Sequence, residues 1–157
     1  FPQCPPHHPC TQFCESDIFY LPSKKIKTVH IQQVCLNLVV HSFKTICTPL
    51  GNKLVISGEK QIKIVFAPNG SCHSLYAVNF QVPFCAFILL KDLHDDVIDI
   101  CALVEDISVQ CIDSHSLSVS SIIFLCPIIK KDHQVFPCLP PSPPICMHCH
   151  SNLTPTW

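Results

Sequence analysis

The sequence predicts an all-β protein, an antiparallel β-sandwich with extended Pro- and Cys-rich arms at its two ends. Three observations predict it. Apolar and polar residues alternate with period two through the middle of the chain, as they do on a strand with one buried face. Turn signals interrupt that alternation at short intervals. Most of the 15 prolines fall outside it, at positions 2, 5, 6, 9 and 22 and at 137, 140, 141, 143, 144 and 155. Proline fixes φ and removes a backbone donor, so neither end is expected to form a helix or a central strand. The chain divides accordingly into an arm over 1–24, a β-domain over 25–130 and a tail over 131–157.

The arm carries Cys4, Cys10, Cys14, His7 and His8. Thiols on a loose arm are a liability unless they bond to something. Disulfide crosslinks to neighbours are one outcome, and zinc held by Cys4, Cys10, Cys14 and a histidine is another. In the domain, Val34, Leu36, Leu38 and Val40 alternate with Cys35, Asn37, Val39 and His41. Pro49-Leu50-Gly51-Asn52 makes a turn, and Leu54 to Phe66 runs on as a strand whose wetter positions are Lys60, Gln61 and Lys63. Gly58 inside it marks a bulge. Pro68-Asn69-Gly70 is a second turn, Leu75 to Val82 alternates again, and Pro83 places its strand at an edge or a bend. Lys91 to Asp96 is a polar loop; Val97 to Cys111 and Leu117 to Ile129 close the domain around a turn at Asp113 to Ser116.

Composition narrows the function. The chain is 48% hydrophobic and only 13% charged, so it has a core's worth of apolar residues and a surface expected to be covered partly by neighbours. All 10 basic residues are lysines and the net charge is -1. Without guanidinium forks or a basic stripe, nucleic acid is not an expected partner. No apolar run reaches the roughly 18–20 residues of a membrane span. Thirteen cysteines in 157 residues point to an oxidising destination or a covalent role for sulfur, and the odd count leaves at least one thiol for a partner, a metal or free chemistry.

Two stretches are more specific. Thr48-Pro49-Leu50-Gly51-Asn52-Lys53-Leu54-Val55-Ile56-Ser57-Gly58-Glu59, continuing through Lys63-Ile64-Val65-Phe66, resembles the opening of a SPOCS domain. So does Ser74-Leu75-Tyr76-Ala77-Val78-Asn79-Phe80-Gln81-Val82-Pro83-Phe84-Cys85-Ala86-Phe87-Ile88, and Val104-Glu105-Asp106-Ile107 and Ile122-Ile123-Phe124-Leu125-Cys126 are similar too. The resemblance covers residues 30 to 128. It implies a β-rich, non-enzymatic interaction domain of the kind found in spore-coat morphogenesis proteins of spore-forming Firmicutes, and it brings no catalytic residues. Both arms depart from the family pattern.

In the tail, Cys146-Met147-His148-Cys149-His150 has the spacing of c-type haem attachment. Cys146 and Cys149 would add to the two porphyrin vinyl groups and His150 would be an axial ligand of the haem iron. Met147 lies between the anchoring thiols, badly placed for the far face. The second axial ligand is then expected from His7 or His8, with His133 and His148 next. A structural or crosslinking cysteine pair and a zinc site remain the alternatives for the same residues.

Catalysis by side chains has little to stand on. Three glycines leave no phosphate-cradling loop, and neither G-x-S-x-G nor H-E-x-x-H occurs. Asp95, Asp96 and Asp99 read as a solvated loop, and nothing brings Cys85 and His73 together. The domain cysteines at 35, 47, 72, 85, 101, 111 and 126 read as small apolar residues or local disulfides. The expected protein is a non-enzymatic structural subunit of an extracellular fibre or appendage at the spore surface. It would form a homo-polymer through edge strands and terminal arms, contact other spore-surface proteins, be crosslinked through Cys4, Cys10, Cys14 and Cys138, and carry one haem c per subunit. The alternative is a spore-coat assembly adaptor joined by disulfides or zinc, without haem.

Overall fold

The period-two alternation becomes long strands with one buried face. The structure, a computed structural model, describes residues 4, 6–21, 29–68, 75–91, 96–113, 115–131, 134–136 and 144–148. Eight strands follow in chain order: β1 (Thr11–Tyr20), β2 (Val29–Thr48), β3 (Gly51–Pro68), β4 (Tyr76–Lys91), β5 (Asp96–Cys111), β6 (Ser116–Lys131), β7 (Gln134–Phe136) and β8 (Ile145–His148). One sheet has the order β1-β6-β5, with β7 pairing to β6, and the other has the order β4-β3-β2-β8. Every pairing is antiparallel. The two sheets face one another across a shared core, as expected of a β-sandwich.

The stretches expected as arms enter this sandwich. Residues Thr11 to Tyr20 pair along their whole length with β6, from Thr11 opposite Leu125 to Tyr20 opposite Ser116. Ile145 to His148 add β8 to the edge of β2. Both are edge strands, where proline-rich neighbours cost no ladder hydrogen bonds. The sandwich therefore reaches beyond the expected 25–130 boundaries at both ends.

Turns fall where the sequence places them. Pro49 and Leu50 form the tip of the β2–β3 hairpin, and Gly51 beyond it has φ 101°, a left-handed conformation that favours glycine. Asp113 Oδ1 accepts hydrogen bonds from the backbone N–H groups of His115 at 2.7 Å and Ser116 at 2.8 Å, which shapes the β5–β6 turn and holds the Asp113 carboxyl below its ordinary range. The turn expected at 68–70 and the loop at 91–96 lie largely outside the described residues. Pro83 sits on β4, an edge strand.

Two expectations change. The bulge expected at Gly58 lies on the facing strand: Val40 pairs with Gly58 and Ser42 with Ser57, so His41 is the extra residue. Gly58 serves close packing instead. A Cβ there would stand 2.2 Å from the Val39 carbonyl oxygen and 2.9 Å from the Phe84 ring. Lys60, expected at a wet position, belongs to the inward-facing series Leu54, Ile56, Gly58, Lys60, Ile62, Ile64 and has no exposed surface. Its Nζ meets Glu15 Oε2 at 2.6 Å and Asp17 Oδ2 at 2.5 Å, both on β1 in the opposite sheet. Burial pulls the Lys60 pKa down, but the two carboxylates outweigh it and the net shift is upward.

This charge cluster divides the core in two. One cluster holds Phe19, Val34, Leu36, Ile62, Ile64, Phe66 and neighbours; the other holds Leu54, Ile56, Phe84, Ile88, Ile123 and Leu125. On β1, Phe13 meets Phe84 at 6.2 Å on one side of the divide and Phe19 meets Phe80 at 4.6 Å on the other. Replacing Gly58 by alanine must displace a backbone carbonyl and a packed ring. Denaturant unfolding of Gly58→Ala is expected to show a loss of about 2–3 kcal/mol; an unchanged midpoint would contradict the close approach.

Candidate functional site

Sulfur at the sheet edges is the chemistry this chain offers, and the strands decide which thiols meet. Cys35 and Cys146 stand opposite one another in the β2–β8 register. They are joined by a disulfide with Cα atoms 4.0 Å apart, 111 residues apart in sequence. Ile145 and Met147, on the other face of β8, pack against the core. The bond fastens the C-terminal segment to the sandwich by a crosslink that constrains most of the unfolded chain.

That pairing bears on the haem motif. Cys146, Met147 and His148 lie in extended β8, while Cys149 and His150 lie outside the described residues, as do Cys138 and His133. A Cys146 sulfur bonded to Cys35 has no thiol to add to a porphyrin vinyl group, so disulfide and thioether exclude one another at this atom. His8 Nε2 is engaged 2.8 Å from the Pro127 carbonyl oxygen. His7 is exposed, with φ 64°.

The N-terminal segment ahead of β1 builds a second thiol cluster. Cys101 and Cys126 face each other across β5 and β6. Cys4 lies within hydrogen-bonding reach of both Cys10 and Cys126. Burial, then the neighbouring thiols Cys4, Cys101 and Cys10, push the Cys126 thiol far above its ordinary range. Burial also raises Cys10, Cys101 and Cys111. Cys14, named with Cys4 and Cys10 as a zinc ligand, is exposed on β1 opposite Ile122. Among the described residues no group of three or more His, Cys, Asp or Glu is arranged to hold a metal ion.

Among the described residues four thiols are exposed: Cys10, Cys14, Cys47 and Cys85. Cys85 lies on edge strand β4 beside exposed Phe87 (54%) and Leu89 (44%), and Lys53 Nζ sits 4.5 Å over the Phe87 ring. On the opposite sheet β1 exposes Ile18 and Tyr20. The edge strands thus present backbone groups, apolar side chains and sulfur together. The sequence pattern gave Cys10 and Cys14 as accessible but not Cys47 and Cys85, because alternation alone does not say which face of an edge strand is covered.

Thiol reactivity should follow this arrangement, since the thiolate is the nucleophile. Alkylation at neutral pH without reductant, mapped by peptide mass, is expected to label Cys14, Cys47 and Cys85 first and Cys126 last. Cys35 and Cys146 should label only after reduction. Early labelling of Cys126 or Cys146 would contradict the structure.

No curated protein and no solved structure matches the chain. Among the described residues, no helix is long and apolar enough to cross a membrane. A family model, SipL, SPOCS domain, matches residues 30–112, which takes in β2, β3, β4 and β5 and stops before β6. The resemblance read at Ile122 to Cys126 lies beyond that match. With more than half of its length matched, the chain belongs to the SPOCS-domain family, which is associated with spores.

Proposed function

We propose that this protein is a non-enzymatic structural subunit that self-assembles at the extracellular spore surface, into a fibre or appendage, and is locked there by disulfides. The observation that carries the proposal is the coincidence, among the described residues, of edge strands open on one side, exposed apolar side chains and exposed thiols on β4 and β1. An edge strand offers its unpaired N–H and C=O groups to another chain. Phe87 and Leu89 add apolar area to that contact, and a neighbouring thiol can fix it covalently. Head-to-tail contacts that do not close yield filaments. Other spore-surface proteins bearing free edges or thiols would join by the same chemistry.

A second reading keeps the same subunit and adds haem c. The Cys146-x-x-Cys149-His150 spacing favours it. It requires Cys146 to be free of Cys35, with His7 or His8 as the further axial ligand and electron transfer between subunits as the outcome. The disulfide- or zinc-joined coat adaptor without haem is the remaining alternative, and metal content with an absorption spectrum separates the two.

Electrophoresis without reductant is expected to show a ladder that collapses to one band with reductant and denaturant; a single monomer band under both conditions would contradict the proposal. Charge on an edge strand blocks pairing. Phe87→Glu together with Leu89→Glu is therefore expected to cut polymer yield about tenfold while leaving thermal unfolding of the monomer near its original midpoint. Polymer yield unchanged in this variant would exclude β4 as the contact.

A further inference from the structure

Lys60 is a nucleophile-bearing side chain that the assembly reading does not use. It has no exposed surface, and its Nζ touches two carboxylates, Asp17 Oδ2 at 2.5 Å and Glu15 Oε2 at 2.6 Å. Its register partners are Leu38 and Val82, and the aromatic pairs Phe13–Phe84 and Phe19–Phe80 lie to either side. Ser121, buried and opposite Glu15 in the β1–β6 register, has a hydroxyl with no hydrogen-bond partner. Two carboxylates for one ammonium leave an excess negative charge in this layer. A single ion pair would need only one of them.

We propose that Lys60 and Asp17 condense to an intramolecular amide, with Glu15 as the proton-transferring group. The two carboxylates hold Lys60 as its ammonium, with its pKa raised, so the reacting state is the one in which a proton has passed along the Lys60–Asp17 contact and left an amine against a carboxylic acid. The Nζ lone pair attacks Asp17 Cγ. Glu15 takes one proton from the nitrogen and returns it to the departing hydroxyl. One C–N bond forms, one C–O bond breaks, and water leaves; no oxidant or cofactor is involved. Contact within a folded core supplies the proximity that makes such a step fast relative to the same groups in solution. Glu15 keeps 37% of its side chain exposed, which gives the water a way out. The product joins β1 to β3, and so one sheet to the other, through a bond that reductants do not cut. It stands or falls independently of whether the subunits assemble.

The test is the intact mass of the full chain, folded, incubated, then reduced and denatured. The expected mass is lower than that of the sequence by one water, and digestion is expected to yield a branched peptide linking the Asp17 segment to the Lys60 segment. Glu15→Gln, which keeps the size of the side chain, should show the full sequence mass and a free Lys60 amine. Asp17→Asn should lose one ammonia instead of one water. A wild-type chain at full sequence mass with Lys60 free to acylation overturns the proposal. So does a water loss without the branched peptide, and a water loss equally complete in Glu15→Gln overturns the role of Glu15.

Discussion

The Lys60 ammonium held between Glu15 and Asp17 is the contact on which the rest of the sandwich depends. Removing a buried ammonium from water is costly, and only close, well-directed carboxylates offset it. The lysine cannot turn outward from the inner face of a central strand, so β1 must deliver its acids to that place. Once β1 is there, Phe13 and Phe19 close on Phe84 and Phe80, and the sheet formed by β5 and β6 gains its third strand. A segment that composition describes as a loose arm is thus fixed in one register by one inward-facing charge.

That constraint settles what is left over for other molecules. With β1 consumed by its own domain, and β8 tied to β2 through Cys35 and Cys146, the open edges among the described residues are those of β4 and β5, the outer sides of β1 and β8, and β2 beyond Leu36. Cys4, Cys10, Cys101 and Cys126 gather where the N-terminal segment crosses β5 and β6, while Cys14, Cys47 and Cys85 stay accessible. Sulfur is thereby sorted by position: some thiols hold the chain to itself, and others are free to meet a neighbour. The Cys146 sulfur is the one atom claimed by two chemistries, a disulfide within the fold and the haem attachment that its spacing suggests.

Much of this was legible in the sequence. Alternation at Val34 to Val40 and Leu54 to Phe66, with turns at Pro49-Leu50 and Asp113 to Ser116, was enough for the all-β sandwich. Lys60 departs from the expectation that a charged residue in a strand marks the solvent side, although its place in the series Leu54, Ile56, Gly58, Ile62 carries the contrary signal. Gly58 looked like a bulge, yet the constraint comes from the Val39 carbonyl and the Phe84 ring, which are distant in sequence. The prolines of the two terminal segments exclude central strands but not edge strands, and β1 and β8 are edge strands. Pairings such as Cys35 with Cys146 depend on long-range register, and no local spacing encodes them.

Native-state hydrogen exchange across β1 tests the central claim most directly, that this segment belongs to its own sandwich and is held by Lys60. The account predicts that the backbone amides of β1 paired with β6 exchange only on global unfolding, as slowly as those of β6 itself. Exchange in β1 at rates near those of an unfolded chain, beside a protected β6, would contradict it.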